Sequence, residues 1–198
     1  MKTSKHATRE QWLEKGVAAL APVFARADHP LPPVKVSCSW PGGGSARKRI
    51  GECWPMRMSK AGINEIFISP LISDSVTALD ILAHELVHAV DNCKHGHKAA
   101  FTKICRDVGL TEGKPTQARA GEELRAVLER IVAKNGAYPH ATIDLSSRKK
   151  KGTFLIKCQC TDEDCGAVWR MTQSWIDRAG TDLACPVCGG VSTSHPNG

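Results

Sequence analysis

Five consecutive residues, His84-Glu85-Leu86-Val87-His88, constrain this chain more than any other segment. Two imidazoles four residues apart meet at one ion when the backbone between them is helical, because a helix stacks positions i and i+4. Glu85 then lies about a third of a turn around and reaches a water on that ion. The flanking residues agree with a helix. Asp74 or Ser75 offers an N-cap, and Leu79, Leu82, Leu86 and Ala89 or Val90 set an apolar stripe over residues 76–90. Before it, residues 63–69 are rich in β-branched and aromatic side chains and stop at Pro70, the pattern of a strand. That strand reads equally as an interior strand or as a free edge able to pair with an extended peptide.

Zinc takes three protein ligands where a fourth position is left to water. The third ligand is open among Asp91, Cys93, His95 and His97, all close behind His88. Gly96 lets the chain turn back toward the ion, which a continuing helix does not. The longer spacing with glycine three and histidine six residues after the second histidine is absent, since Asp91 and Lys94 stand there.

Other elements follow from periodicity and punctuation. Trp12, Leu13, Val17, Leu20 and Phe24 give a helical stripe over residues 11–26. Pro32-Pro33 forces extended chain, and residues 34–36 read as a short strand. The glycines of residues 40–45 make a turn; no Gly-Lys-Ser/Thr follows to suggest a phosphate cradle. Residues 101–108 and 122–134 read as helices closed by Gly109 and by Asn135-Gly136. A basic break, Ser146-Ser147-Arg148-Lys149-Lys150-Lys151-Gly152, divides the chain into 1–145, a linker over 146–152, and 153–198.

The last segment carries Cys160-x4-Cys165 and Cys185-x2-Cys188, separated by nineteen residues. Two such knuckles supply four thiolates to a structural zinc, and so short a domain needs that staple. Cys158 competes with Cys160, but a chelate by Cys158 and Cys160 together is tight, which favours Cys160. Cys38, Cys53, Cys93 and Cys105 have no pairwise ligand spacing and read as free thiols. Nine cysteines, an odd number with several in clusters, suit metal binding in a reducing compartment better than a disulfide framework.

Net charge is +7 with a pI near 9.0, which favours acidic partners. Arg148, Lys149, Lys150, Lys151, Lys157 and Arg170, with Trp169 and Trp175 for base stacking, read equally as a candidate nucleic-acid surface or as a solubilising basic linker with tryptophans in a small core. Arg47, Lys48, Arg49, Arg57 and Lys60 form a second basic cluster. No run of about 18 apolar residues is present, and residues 1–10 lack the apolar core of a leader. The expected chain neither spans a membrane nor enters secretion, and it is placed in the cytoplasm.

Residues 84–89, then Gly96-His97 and Phe101, resemble the SprT-like metalloprotease domain. Ile50-Gly51-Glu52-Cys53-Trp54 and Asn64-Glu65-Ile66-Phe67-Ile68-Ser69-Pro70 also resemble segments of bacterial and phage members. The likeness runs from about Val34 onward and includes the C-terminal zinc ribbon. It implies a zincin-like α+β catalytic domain followed by a small ribbon, with one catalytic and one structural Zn2+. It places the catalytic zinc on His84, His88 and His97 and the general base on Glu85. By resemblance the activity is hydrolysis of proteins bound or crosslinked to DNA. Lys98-Ala99-Ala100 departs from the Gly-Pro-Glu that family members often carry after the third histidine. The residues identify no second donor to the oxyanion; Tyr138 and His140 are candidates that read first as structural. A non-catalytic, nucleic-acid-associated adaptor with a structural zinc on the helix is the rival expectation; it predicts a closed four-ligand site and a dispensable Glu85.

Overall fold

The computed structural model describes residues 5–42, 49–139, 143, 155–180 and 183–195. The chain divides into two compact units, Met1–Asp144 and Leu145–Gly198. Both mix helices with a small sheet, so the fold class is α+β, with five α-helices among the described residues.

In the first unit, helix α1 spans Arg9–Arg26 and is capped by Thr8, whose side chain accepts from the Gln11 N–H. Its Trp12, Leu13, Leu20 and Phe24 are buried, and Trp12 Nε1 donates to the Gly136 carbonyl at 3.0 Å. That bond satisfies a buried indole and ties α1 to the chain behind the last helix of the unit.

Three strands follow: β1 (Val34–Cys38), β2 (Gly51–Trp54) and β3 (Asn64–Ile68). Their spatial order is β1-β3-β2. β3 runs parallel to β1, with Val36 opposite Ile66, and antiparallel to β2, with Cys53 opposite Ile66. The predicted strand over 63–69 is therefore the central one. The edge reading is corrected: both sides of β3 are already paired, and the free edge beside the helix belongs to β2. Gly-Glu-Cys-Trp lacks the alternation that marks a strand, so β2 was not expected as one.

Helix α2 (Ser75–Val90) starts at Asp74, whose Oδ1 accepts from Thr77 N at 2.7 Å and Thr77 Oγ1 at 2.6 Å. Ten of its 16 residues are buried, more than one stripe. An all-round apolar helix belongs inside a domain, and α2 is packed by α1, β2, β3, α3 and α4. Helix α3 (Ala99–Val108) ends at Gly109, and α4 (Glu122–Asn135) buries Leu124, Leu128 and Ile131 against this core.

In the second unit, β4 (Leu155–Cys160) lies between β5 (Val168–Thr172) and β6 (Ser192–His195), both antiparallel to it. A short helix α5 (Gln173–Ala179) follows β5. Ile156, Cys158, Cys160, Leu183 and Cys185 are its buried apolar residues. No helix among the described residues is long and apolar enough to cross a membrane.

Candidate metal centre and cleft

His84 and His88 project from α2 one turn apart, and the chain behind the helix brings His97 to them. After Asp91 the backbone enters the left-handed region at Asn92, Cys93 and Gly96, with φ of 48°, 54° and 53°. These turns reverse the chain, the task expected of Gly96. Cys93 N donates to the His88 carbonyl at 2.8 Å, closing the end of the helix. Asn92 Oδ1 accepts from Met56 N at 3.0 Å and Asn64 Nδ2 at 3.2 Å, which fastens the turn to β3 and to the segment just after β2.

One candidate ligand atom from each of His84, His88 and His97 lies within 4.8 Å of the others. His88 Nε2 and His97 Nε2 are 3.1 Å apart. Ligand nitrogens 2.0–2.1 Å from a tetrahedral ion lie roughly 3.3 Å from each other, so this donor set fits zinc. His84 Nδ1 faces the Ala118 carbonyl at 3.3 Å. With a proton on Nδ1, the Nε2 lone pair is free for an ion, and the carbonyl fixes the ring plane. Phe101, fully buried, stacks on His88 at 4.3 Å and touches His97 at 4.9 Å and His84 at 5.2 Å. Its ring sets the spacing of the imidazoles from beneath.

Burial holds all three histidines neutral, the form that ligates. It drives His84 down to about 4, partly opposed by the Ala118 hydrogen bond, and His88 down to about 3, with His84 and His97 adding to the effect. His97 is lowered by burial alone.

The other three candidates have separate partners. His95 Nδ1 pairs with Asp91 Oδ1 at 2.5 Å, and Asp91 Oδ2 accepts from His95 N at 2.8 Å. Cys93 Sγ points to the Cys53 carbonyl at 3.3 Å. Among the described residues no fourth side chain joins the three histidines, so the closed shell with Cys93 or Asp91 is not what this arrangement provides.

Glu85 is only 6% exposed. Burial, then the nearby Cys93 and Glu52, push its carboxyl up to about 8, while Arg49 opposes them. A carboxyl near neutrality takes and returns protons readily. β2 passes so close that a Cβ on Gly51 would fall 2.4 Å from Glu85 Oε1. Glu52 accepts from Gly42 N at 2.6 Å and pairs with Arg49. Arg49, Gly51, Glu52 and Glu85 line an open cleft of about 840 Å³ that also includes Cys53, Asp80, Ala118 and Arg119.

Tyr138 takes the structural place that its sequence reading favoured over an oxyanion donor. It is buried against Trp12, ring centroids 4.9 Å apart, and its backbone N–H donates to Ser75 Oγ, away from the cleft lining. His140 lies outside the described residues. The spacing argument did not reach Ala118, the close pass of Gly51 or the stacking role of Phe101; Gly51 and Phe101 entered only through the resemblance.

In the second unit, Cys160, Cys165, Cys185 and Cys188 present four sulfurs within 4.8 Å of one another. Cys160 Sγ is 3.5 Å from Cys188 Sγ, and Cys165 Sγ is 3.7 Å from Cys185 Sγ. Sulfurs 2.3 Å from a tetrahedral zinc are roughly 3.8 Å apart, so the set fits a structural ion. Asp162, Val187 and Gly190 N–H groups each donate to the cysteine sulfur two residues earlier at 3.4 Å. N–H groups of Cys188 and Val187 bring the Cys185 thiol down to about 7 against the effect of desolvation. Cys158 and Cys160, two apart on β4, share a face. Cys158 lies one step further into the core, fully buried, and stays out of the cluster.

Trp175 is exposed on α5 with the Arg178 guanidinium 5.1 Å over its ring, while Trp169 is half-buried opposite Cys158. Arg148, Lys149, Lys150 and Lys151 lie outside the described residues, as do Arg47 and Lys48. Arg57 and Lys60 are exposed. Comparison with protein-family models, curated proteins and solved structures finds no match to this chain.

Proposed function

We propose that this chain is a zinc-dependent endopeptidase of SprT-like type, with a zincin-like catalytic unit, that acts in the cytoplasm on proteins bound or crosslinked to DNA. The observation that carries the reading is the meeting of His84, His88 and His97 beside the buried Glu85, in an open cleft bordered by the edge strand β2.

His84, His88 and His97 would hold the catalytic ion, and Cys160, Cys165, Cys185 and Cys188 the structural one. A zinc on the histidines supplies a Lewis acid and makes water nucleophilic near neutral pH. Glu85, next in sequence to His84, takes the proton of the attacking water and returns it to the leaving amine as the peptide bond breaks. On the side away from β3, the backbone of β2 at Gly51 offers an extended substrate a strand to pair with, while the Cys53 carbonyl already accepts from Cys93 Sγ. The Ala118 carbonyl holds the His84 ring in place through the reaction.

The nucleic-acid part of the proposal is supported by the +7 charge and by the Trp175–Arg178 pair, a surface on which an unpaired base stacks. An adaptor with a purely structural helix zinc has less support, because three ligands leave a position open and Glu85 borders it.

The test is cleavage of a basic DNA-binding protein by zinc-loaded wild type and Glu85→Gln, with and without DNA. Cleavage that needs DNA and is lost in the variant is the expected result. DNA-independent cleavage retains the peptidase and removes the DNA link; equal inertness of both proteins across several substrates favours the adaptor.

A further inference from the structure

Cys53 and Cys93 are 40 positions apart and belong to neither candidate metal site. The fold brings them together. Cys53 sits on edge strand β2, and Cys93 stands in the left-handed turn behind α2. The turn is held to β3 and to the segment after β2 by the two hydrogen bonds to Asn92 Oδ1, and to the end of α2 by Cys93 N on the His88 carbonyl. Cys93 Sγ is 3.3 Å from the Cys53 carbonyl oxygen, which sets the two cysteines side by side. Both are half-buried and line the cleft, so a small solute entering it reaches sulfur. The remaining thiols are placed differently. Cys38 accepts from Arg9 Nη1, Cys105 and Cys158 are buried, and the ribbon cysteines face one another.

We propose that Cys53 and Cys93 form a redox modification site, a dithiol that hydrogen peroxide converts into a disulfide joining β2 to the turn behind α2. One sulfur attacks a peroxide oxygen; the O–O bond breaks, one water leaves, and that cysteine becomes a sulfenic acid. The second sulfur then attacks the first, forming the S–S bond and releasing the second water. Two electrons pass from the sulfurs to the peroxide, and the two thiol hydrogens leave in the waters. A dithiol reductant reverses the bond by thiol–disulfide exchange. On the endopeptidase reading, on which only this consequence rests, the bond ties the substrate-facing strand to the segment that carries His97.

The experiment treats the zinc-loaded full chain with one equivalent of hydrogen peroxide, alkylates free thiols, and maps peptides without reduction. The expected product is lighter by two hydrogens, carries one crosslinked peptide containing Cys53 and Cys93, and reverts with dithiothreitol. Cys53→Ser and Cys93→Ser should each abolish the link, and Cys38→Ser should leave it. Two variants at the pair keep the test decisive should one of them fold poorly. Sulfinic acid on either cysteine, a pair that stays fully alkylatable, or mixed pairings in equal yield would overturn the proposal. The readout needs no peptide substrate. An inert peptidase would leave this site standing, and a missing crosslink would leave the peptidase reading standing.

Discussion

A Cβ at position 51 would lie 2.4 Å from Glu85 Oε1 and 2.6 Å from Ile81 Cγ2. Gly51 is what allows the edge strand to run directly over the buried carboxyl. Gly51→Ala therefore overpacks the cleft floor, at a cost of about 1–3 kcal/mol. It also displaces the proposed base, for a loss in kcat on the order of a hundredfold. Zinc content should not change. Urea denaturation, metal analysis and peptide hydrolysis on one preparation separate these effects; unchanged kcat would show that Glu85 is not held by this contact.

His97 and His95 are two residues apart with opposite fates. His97→Ala should lose one zinc equivalent per chain, whereas His95→Ala should keep it, because His95 is engaged by Asp91. Metal content measured after dialysis decides this. Retention in His97→Ala would move the third ligand elsewhere.

Phe101→Ala removes a fully buried ring in contact with all three imidazoles. We expect a stability loss of about 3–5 kcal/mol from the cavity. Weaker zinc retention should accompany it, read by competition with a chelator. Phe101→Leu should recover more of the stability than of the zinc affinity, since leucine fills space without presenting a flat face.

In the second unit, Cys160→Ser should lose the second zinc equivalent and the cooperative unfolding of that unit, since a structural ion would supply much of so small a domain's stability. Cys158→Ser should keep the metal and lose only packing. Metal analysis with calorimetry distinguishes the two.

Asp74 caps α2, and its bonds to Thr77 hold its carboxyl below the ordinary value of 3.8. Its folded pKa is depressed, so its contribution is complete above the unfolded pKa and is lost as pH falls through the folded one. Asp74→Ala should cost about 1 kcal/mol at neutral pH. The gap to wild type should close in acid below pH 3.8. Denaturation midpoints of both proteins across that range test the sign.

Much of the first unit is legible in the amino-acid sequence. The stripes of α1 and α4, the Asp74 cap and the Gly109 stop are local, so propensity and capping place them within two or three residues. β2 was not, because its four residues carry no period and are a strand only through pairing with β3. The rank of β3 as the central strand was equally hidden, since its own side chains are compatible with either place.

The amino-acid sequence alone determined the pieces whose partners lie within a few residues: His84 and His88 on one helical face, and the spacing of Cys185 and Cys188. Tertiary structure decided everything that depends on chain segments meeting across long separations. It chose His97 over His95, set Ala118 behind His84, passed Gly51 over Glu85, and put Cys53 beside Cys93. The physical reason is that helical periodicity and knuckle turns are short-range constraints on the backbone. Which carbonyl, ring or thiol fills the space around a side chain depends instead on how distant elements pack around the buried helix α2.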